Sequence, residues 1–242
     1  MRACITLLAL VAGAVCAPGF AARPASIIGR VMITRVLAKK RVGLPVDVYG
    51  LRGVSTGPPN SAGAVQHSEL SRVVIYLQGN GLKAAAPITA TLTQQDKHFV
   101  PEIVVVPAGS TVSFPNRDPI FHNVFSLSRA KSFDLGYYPA GETRSVRFAR
   151  PGVVEVYCHI HPDMSAAILV VPSAWWTRPL PDGSFSFAGV PPGAYTLIAW
   201  HRSAGFFRRS ITVSAEGTQS VVFTIPVRDQ GAPKPAQSRG VS

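Results

Sequence analysis

A short run of residues past the middle of the chain carries side chains that bind soft metal ions. The run is Tyr157-Cys158-His159-Ile160-His161-Pro162-Asp163-Met164, and Phe121-His122-Asn123 lies upstream of it. One thiolate, two imidazoles and a thioether form the donor set of a mononuclear type 1 copper site. The sequence therefore predicts a copper ion bound by this segment.

The first 22 residues have the pattern of a cleaved secretory signal. Arg2 supplies a basic start, an uncharged apolar run extends from Cys4 to Ala17, and small residues follow. A retained membrane anchor is the alternative, but the run is shorter than the roughly 20 residues of a spanning helix. Removal of the signal takes Cys4 and Cys16 away, so Cys158 has no partner for an intramolecular disulfide. We expect an exported, periplasmic protein in which Cys158 is a ligand rather than an inert thiol or an intermolecular bridge.

The chain is basic, with a formal net charge of +12 over 242 residues. Its Lys and Arg residues are scattered and do not gather on one helix face, which disfavours nucleic acid as a partner. A basic exterior instead suits an acidic redox protein or an anionic membrane surface. A merely solvated surface is the alternative.

Short Val, Ile, Thr and aromatic runs alternate with Gly, Pro and Asp turns after the signal, and no helical period is present. This alternation of short apolar runs and turns predicts an all-β protein built of sandwiches or barrels. Predicted strands between Ile103 and Val171 define one compact unit at 90–172, with others before and after it. We assign 26–84 and 173–227 to further β-structure, Arg52 to Ser71 to a loop, and 228–242 to a flexible tail.

The alternation of side chains along a β-strand predicts which way Cys158 faces. Val154, Val156 and Cys158 share one face of a strand, so Cys158 ends a row that points to the core. A turn containing Pro162 must then bring His161 and Met164 back to the same ion. A further donor must come from elsewhere. His122, which lies 36 residues earlier, is the best candidate.

Asn123 and His159 are next to predicted ligands in the sequence and could also act at the metal site. Asn123 can donate a hydrogen bond to the thiolate from its side chain or its backbone amide. His159 lies on the opposite face from Cys158 and is not counted as a ligand, although a histidine there could bridge to a second copper. Zinc is the alternative metal for Cys and two His, but a methionine is a poor zinc ligand.

The stretch from Phe114-Pro115-Asn116 to Phe121-His122-Asn123-Val124-Phe125, together with Cys158-x-x-His161-x-x-Met164, resembles the cupredoxins. The short ligand loop is similar to that of amicyanin. The wider stretch, with Phe133-Asp134-Leu135-Gly136 and Pro139-x-Gly141, resembles exported proteins called methylamine utilization protein-like.

This resemblance implies a Greek-key sandwich and one type 1 copper per chain. It implies that His122, Cys158 and His161 are equatorial ligands, that Met164 is the weak axial ligand, and that electrons leave through His161. Asp163 departs from the apolar residue that is frequent there, which affects the choice of partner.

A second resemblance concerns the flanking segments. Asp182-Gly183-Ser184-Phe185 and Gly189-Val190-Pro191-Pro192-Gly193-x-Tyr195-x-Leu197 resemble the carboxypeptidase regulatory-like, or transthyretin-like, β-sandwich. Gly29-Arg30-Val31 and Val74-Ile75-Tyr76-Leu77 match the earlier half of that pattern. The expected arrangement is one discontinuous sandwich with the copper unit inserted in it, and a tandem arrangement is the alternative.

These features favour an exported single-electron carrier without enzyme activity. A periplasmic copper carrier would use the same ligands. A copper oxidoreductase would need an open coordination position or a second copper, and Met164 and the total of six histidines argue against both.

Overall fold

The computed structural model describes residues 25–34 and 69–226, and the regular elements of these ranges are β-strands. The all-β prediction is confirmed. The predicted signal at 1–22, most of the predicted loop at 52–71 and the tail at 228–242 lie outside the described residues. None of the described residues belongs to a helix long and apolar enough to cross a membrane.

Seventeen strands follow one another in the described part of the chain. They are β1 (Ser26–Ile33), β2 (Val73–Gln78), β3 (Thr89–Thr91), β4 (Thr93–Gln95), β5 (His98–Val100), β6 (Ile103–Pro107), β7 (Ser110–Pro115), β8 (His122–Ser128), β9 (Lys131–Tyr138), β10 (Thr143–Phe148), β11 (Gly152–Tyr157), β12 (Ser165–Val171), β13 (Trp176–Thr177), β14 (Ser184–Ala188), β15 (Gly193–His201), β16 (Gly205–Val213) and β17 (Thr218–Ile225).

The strands form four larger sheets and one hairpin. The strand orders are β14-β1-β17, β13-β2-β15-β16, β6-β12-β11-β8-β9 and β10-β7-β3, with β4-β5 as the hairpin. Strand β1 pairs with β14 in antiparallel and with β17 in parallel orientation, and β2 pairs with β13 and β15. The first and last strands of the described chain therefore share two sheets, while β3 and β6 to β12 form the other two.

Three hydrophobic cores separate the four sheets into layers. The first core lies between β14-β1-β17 and β13-β2-β15-β16, and includes Ile27, Leu77 and Phe223. The last lies between β6-β12-β11-β8-β9 and β10-β7-β3, and includes Phe114 and Val156. These are two β-sandwiches. A third core joins them, because the inner sheet of one sandwich packs on the inner sheet of the other.

Strands of the inner sheets bury both faces, and their sequences show why. In β12, Ala166, Ile168 and Val170 pack into the last core. The alternate residues Ala167, Leu169 and Val171 pack into the joining core. Strands covered on both faces are continuous apolar runs instead of alternating ones. The run Ser165-Ala-Ala-Ile-Leu-Val-Val171 therefore holds the two sandwiches together.

Candidate metal centre

Three donor atoms meet at one end of the second sandwich. One ligand atom each from His122, Cys158 and His161 lies within 4.8 Å of the other two. The Cys158 Sγ is 3.8 Å from the Nδ1 of His122 and 3.8 Å from the Nδ1 of His161. Donors bonded to one ion at about 2.0 to 2.3 Å lie roughly 3.5 to 4 Å apart. The spacing therefore suits a shared metal ion.

Two adjacent strands and one short loop position these donors. His122 is the first residue of β8, and Cys158 directly follows β11, which pairs with β8 through Tyr157 and Phe125. The antiparallel pairing brings the start of β8 next to the end of β11. The loop then turns back, with the Met164 N–H donating to the His161 carbonyl over 2.9 Å. The chain re-enters the sheet as β12 one residue after Met164.

The donors differ in their access to solvent. The exposed fractions of His122, Cys158 and Met164 are 0%, 4% and 1%, whereas His161 is half-buried. Cys158 and Met164 pack in the same core as Val156. His161 is therefore the side chain of this group that an approaching molecule can reach, whereas His122, Cys158 and the predicted ligand Met164 are shielded from water.

Asp118 fixes the orientation of His122, although no motif in the sequence pointed to this residue. Its Oδ2 is 2.6 Å from the Nε2 of His122, and both groups are buried. The backbone amides of Asp96 and Lys97 donate to the two carboxylate oxygens over 2.6 Å and 2.9 Å. A carboxylate on the second nitrogen of a ligating histidine is a common outer partner of metal sites. The feature of the sequence that could have pointed to Asp118 is its position four residues before His122.

Asp118 stays ionised in this environment. Burial opposes its ionisation, but the hydrogen bonds from the Lys97 amide and from His122 outweigh burial and hold the pKa of the carboxyl below its usual value. A carboxylate at Nε2 favours the tautomer with the proton on that atom. This leaves the Nδ1 lone pair of His122 directed toward the Cys158 sulfur.

His161 is also held in its metal-binding form. Its burial, followed by the nearby His122 and Lys97, lowers the pKa of the imidazole below its usual value. A metal must compete with protons for an imidazole nitrogen, so a lowered pKa favours binding near neutral pH.

Asn123 and His159 both contact Asp134. The Asn123 Nδ2 donates to the Asp134 Oδ1 over 2.6 Å, while the His159 Nε2 lies 3.5 Å from its Oδ2. His159 also stacks on Phe125, with ring centroids 3.8 Å apart and planes 4° from parallel. His159 is thus held outside the donor group. A hydrogen bond from the Asn123 backbone to the thiolate stays a prediction.

The other described histidines lie apart from this group. His98 is exposed and its Nδ1 contacts the Asp96 carbonyl, while His201 is buried against Glu69 in the other sandwich. His67 lies outside the described residues. Among the described residues, the donor chemistry of His122, Cys158, His161 and the adjacent Met164 fits a soft ion such as copper.

Comparison with known proteins found no matching family model and no matching curated protein. Part of the chain is similar to solved structures. A copper-containing nitrite reductase from Thermus scotoductus SA-01 is 27% identical over 39% of this chain and 25% of its own, with a TM-score of 0.34. A purple cupredoxin from Nitrosopumilus maritimus is 23% identical over 34% of this chain and 99% of its own, with a TM-score of 0.31. Amicyanin from Paracoccus versutus is 18% identical over 40% of this chain and 97% of its own, with a TM-score of 0.33.

Proposed function

We propose that this protein binds one copper ion through His122, Cys158, His161 and Met164 and carries single electrons between redox partners. The observation that supports the proposal is the convergence of a thiol and two imidazoles, whose ligand atoms lie within 4.8 Å of one another. Two of these three side chains, His122 and Cys158, are buried. When bound, copper would accept and release one electron by cycling between Cu(II) and Cu(I).

The residues around the donors serve this function by holding them in place. Asp118 fixes the imidazole of His122, and the pairing of β11 with β8 fixes Cys158. A site whose ligands do not move between oxidation states exchanges electrons without a large reorganisation. As a fourth donor, Met164, which is 1% exposed, would fill the coordination position that a substrate needs, which is why we propose a carrier rather than an enzyme.

Partner docking at the metal end also follows from this proposal. Phe121 and Ile160, each next to a histidine donor in the chain, are 58% and 48% exposed. Exposed apolar side chains around one reachable ligand suit a transient protein contact. With the net charge of +12, we propose an acidic redox protein as the partner, met in the periplasm after export.

We further propose that the chain has two domains. The inserted unit, 90–172, would be the cupredoxin domain. Residues 26–84 and 173–227 would form a transthyretin-like sandwich around it. The pairing of β1 with β14 and β17, and of β2 with β15, supports this division.

Visible absorption and electron paramagnetic resonance of the copper-loaded mature chain test the metal assignment. We expect the intense thiolate-to-copper colour in the Cu(II) form, its loss in Cys158→Ser, and no change in the control His98→Ala. His98 is exposed and outside the donor group. A colourless Cu(II) form of the unaltered chain would rule out the type 1 site.

A copper carrier is the second candidate, because the half-buried His161 offers one ligand that an acceptor can replace. Repeated reduction and oxidation in the presence of a copper-binding acceptor separates the two functions. An electron carrier keeps its metal through the cycles. Transfer of the copper to the acceptor during cycling would favour the carrier instead.

A further inference from the structure

The end of the metal-binding sandwich opposite the metal carries a basic pocket. Strand β8 runs away from the metal, from His122 to Ser128, and β11 runs toward it, from Gly152 to Tyr157. Six residues of strand span about 20 Å, so the β8–β9 and β10–β11 turns lie about that far from the donors. Between the turns is a pocket of about 280 Å³, lined by Arg129, Ala130, Lys131, Ser132, Arg147, Ala149 and Arg150.

Local packing brings these turns together. Gly152 has a φ of +144°, and a Cβ built on it would lie 2.9 Å from the Cβ of Ala130. A glycine is required where a neighbouring side chain approaches the backbone so closely. Arg147 joins the pocket from β10, where its Nε donates to the Gly109 carbonyl over 3.2 Å. Four cationic side chains therefore line one concavity as a result of the fold.

These four cations have no carboxylate partner among the described residues. Other arginines in the described ranges do have one: Arg30 with Asp182, Arg72 and Arg202 with Glu102, and Arg144 with Glu142. Like charges held around one pocket repel each other, and an anion placed there removes the repulsion. Guanidinium groups match the oxygens of a phosphate with paired hydrogen bonds.

An apolar side chain stands beside the cations. Leu127 is 82% exposed, and it pairs across the β8–β9 ladder with Ser132, which lines the pocket. An exposed leucine next to several Lys and Arg residues combines the two contributions that bring a protein to an anionic bilayer, namely apolar insertion and attraction to phosphate headgroups. A free phosphate ion would make no use of the leucine.

We propose that this basic pole, comprising Leu127, Arg129, Lys131, Arg147 and Arg150, binds the phosphate headgroups of an anionic membrane surface. The donors then lie about 20 Å from that surface. The metal end, with the half-buried His161, faces the aqueous side. The inference does not depend on copper, and it stands or falls separately from the proposed electron transfer.

Vesicle co-sedimentation of the mature chain tests the proposal. We expect binding to vesicles of 30% phosphatidylglycerol in phosphatidylcholine, little binding to pure phosphatidylcholine, and weaker binding as salt rises. Each basic residue at an anionic surface contributes about fivefold to partitioning, so Arg129→Gln/Arg150→Gln is expected to weaken binding roughly 30-fold.

The matched control is Arg208→Gln/Arg209→Gln, which removes the same charge from exposed positions of β16 in the other sandwich. We expect it to lower binding only slightly. Equal losses in the two double variants would overturn the proposal, because they would show a response to net charge alone.

Two further measurements distinguish the source of the phosphate. Leu127→Ser is expected to weaken vesicle binding and to leave the thermal unfolding midpoint unchanged. Isothermal titration with inorganic phosphate is expected to show no binding at millimolar concentration. Tight binding of inorganic phosphate together with full vesicle binding by Leu127→Ser would overturn the membrane assignment in favour of a free anion.

Discussion

At the scale of single residues, the contact between Asp118 and His122 positions one of the candidate ligands. The carboxylate is held by two backbone amides, so it cannot turn away from the imidazole. A fixed carboxylate sets the ring orientation and the tautomer of the histidine that it contacts. The affinity of the site for metal therefore depends on a residue that is not itself a donor.

Asp118→Asn tests this dependence. The amide keeps the shape of the side chain but loses the charge. Its NH2 group is a donor and cannot accept a hydrogen bond from the His122 N–H. We expect copper affinity to fall by about 10- to 100-fold, measured by competition with a chelator of known affinity. The control is Asp96→Asn, an exposed carboxylate close to Asp118 in space. Equal affinities of Asp118→Asn and the unaltered chain would contradict the positioning role.

A second buried histidine, His201, is held neutral in the other sandwich. Its Nε2 lies 3.1 Å from the Glu69 Oε2, and its Nδ1 accepts the backbone N–H groups of Ser203 and Ala204 over 3.2 Å and 3.1 Å. Burial, followed by the charge of Arg72, lowers the pKa of His201 to about 4. Protonation would break two hydrogen bonds to Nδ1.

A pH dependence of stability follows from His201. Its pKa is about 4 in the folded state and about 6.5 in the unfolded state, so the unfolded state binds more protons between these values. The free energy of unfolding is expected to fall as the pH is lowered from about 6.5 to 4. Burial raises the pKa of Glu69, which opposes part of this loss. Urea unfolding at several pH values and an NMR titration of His201 measure both effects, and a His201 pKa near 6.5 would contradict the argument.

Residue types and spacing predicted that His122, Cys158 and His161 lie together, but not which residues support them. Cys158, His161 and Met164 lie within one loop, so their proximity follows from the sequence alone. Asp118 and Asp134 come from other segments, and their contacts depend on how the β7–β8 connection folds and how β9 pairs with β8. Such partners depend on tertiary structure, which a local motif does not encode.

At the scale of elements, burial on both faces explains the role of β12. Its residues alternate between two cores, so each residue of one face stabilises a sandwich and each residue of the other stabilises the joint between sandwiches. A substitution in β12 therefore affects either the core of one sandwich or the joining core, depending on which face of the strand the residue occupies.

Leu169 and Leu127 form a matched pair that tests this role. Leu169 is 0% exposed in the joining core, and Leu127 is 82% exposed. Leu169→Ala is expected to lower the free energy of unfolding by about 2 to 5 kcal/mol through lost burial and a residual cavity. Leu127→Ala is expected to change it by less than about 0.5 kcal/mol. Denaturant unfolding measures both, and similar effects of the two changes would contradict the layered packing.

The strand pattern predicted apolar strands well and a half-exposed one poorly. The runs Val73 to Leu77 and Val153 to Cys158 are close to the observed β2 and β11. The sequence of β9 does not indicate a strand, because Asp134 and Gly136 interrupt the apolar pattern and most of its residues are partly exposed. The hydrogen bonds to β8 hold β9 in a strand, and its own sequence does not reveal this pairing.

At the scale of the whole molecule, the joining core is closed at its rim by charged side chains from both sandwiches. Glu102, which precedes β6, contacts Arg72 over 2.7 Å and Arg202 over 2.5 Å. Arg202 also donates to the Ser165 Oγ over 3.1 Å, next to Met164 in the chain. The other sandwich is thereby connected to the end of the ligand loop.

Cooperative unfolding of the two sandwiches is the expected consequence. Trp175 and Trp176 lie in the flanking sandwich, and the copper colour would report the metal-binding one. We expect the tryptophan fluorescence and the visible band to change at the same denaturant concentration, because unfolding either sandwich exposes the shared core. Chains with Arg202→Ala are expected to keep the coincidence at a lower midpoint. Two well-separated midpoints in the unaltered chain would show that the sandwiches are independent.

The layered arrangement was only partly predictable from sequence. Resemblance of Gly29-Arg30-Val31 and Val74-Ile75-Tyr76-Leu77 to one sandwich pattern suggested that distant segments belong together. The packing of the two inner sheets on each other was not predicted, although the continuous apolar runs at Val73 to Leu77 and Ala166 to Val171 were its signal. Such runs show that both faces are covered without showing by what.

The burial of Cys158 has a consequence for the chain before it meets a metal. A thiol that is 4% exposed is poorly accessible to oxidants and to the cysteine of a second molecule. In a compartment that oxidises free cysteines, such a thiol resists conversion to a sulfenic acid or a mixed disulfide. Burial of Cys158 is thus expected to keep its sulfur reduced until the proposed ion binds.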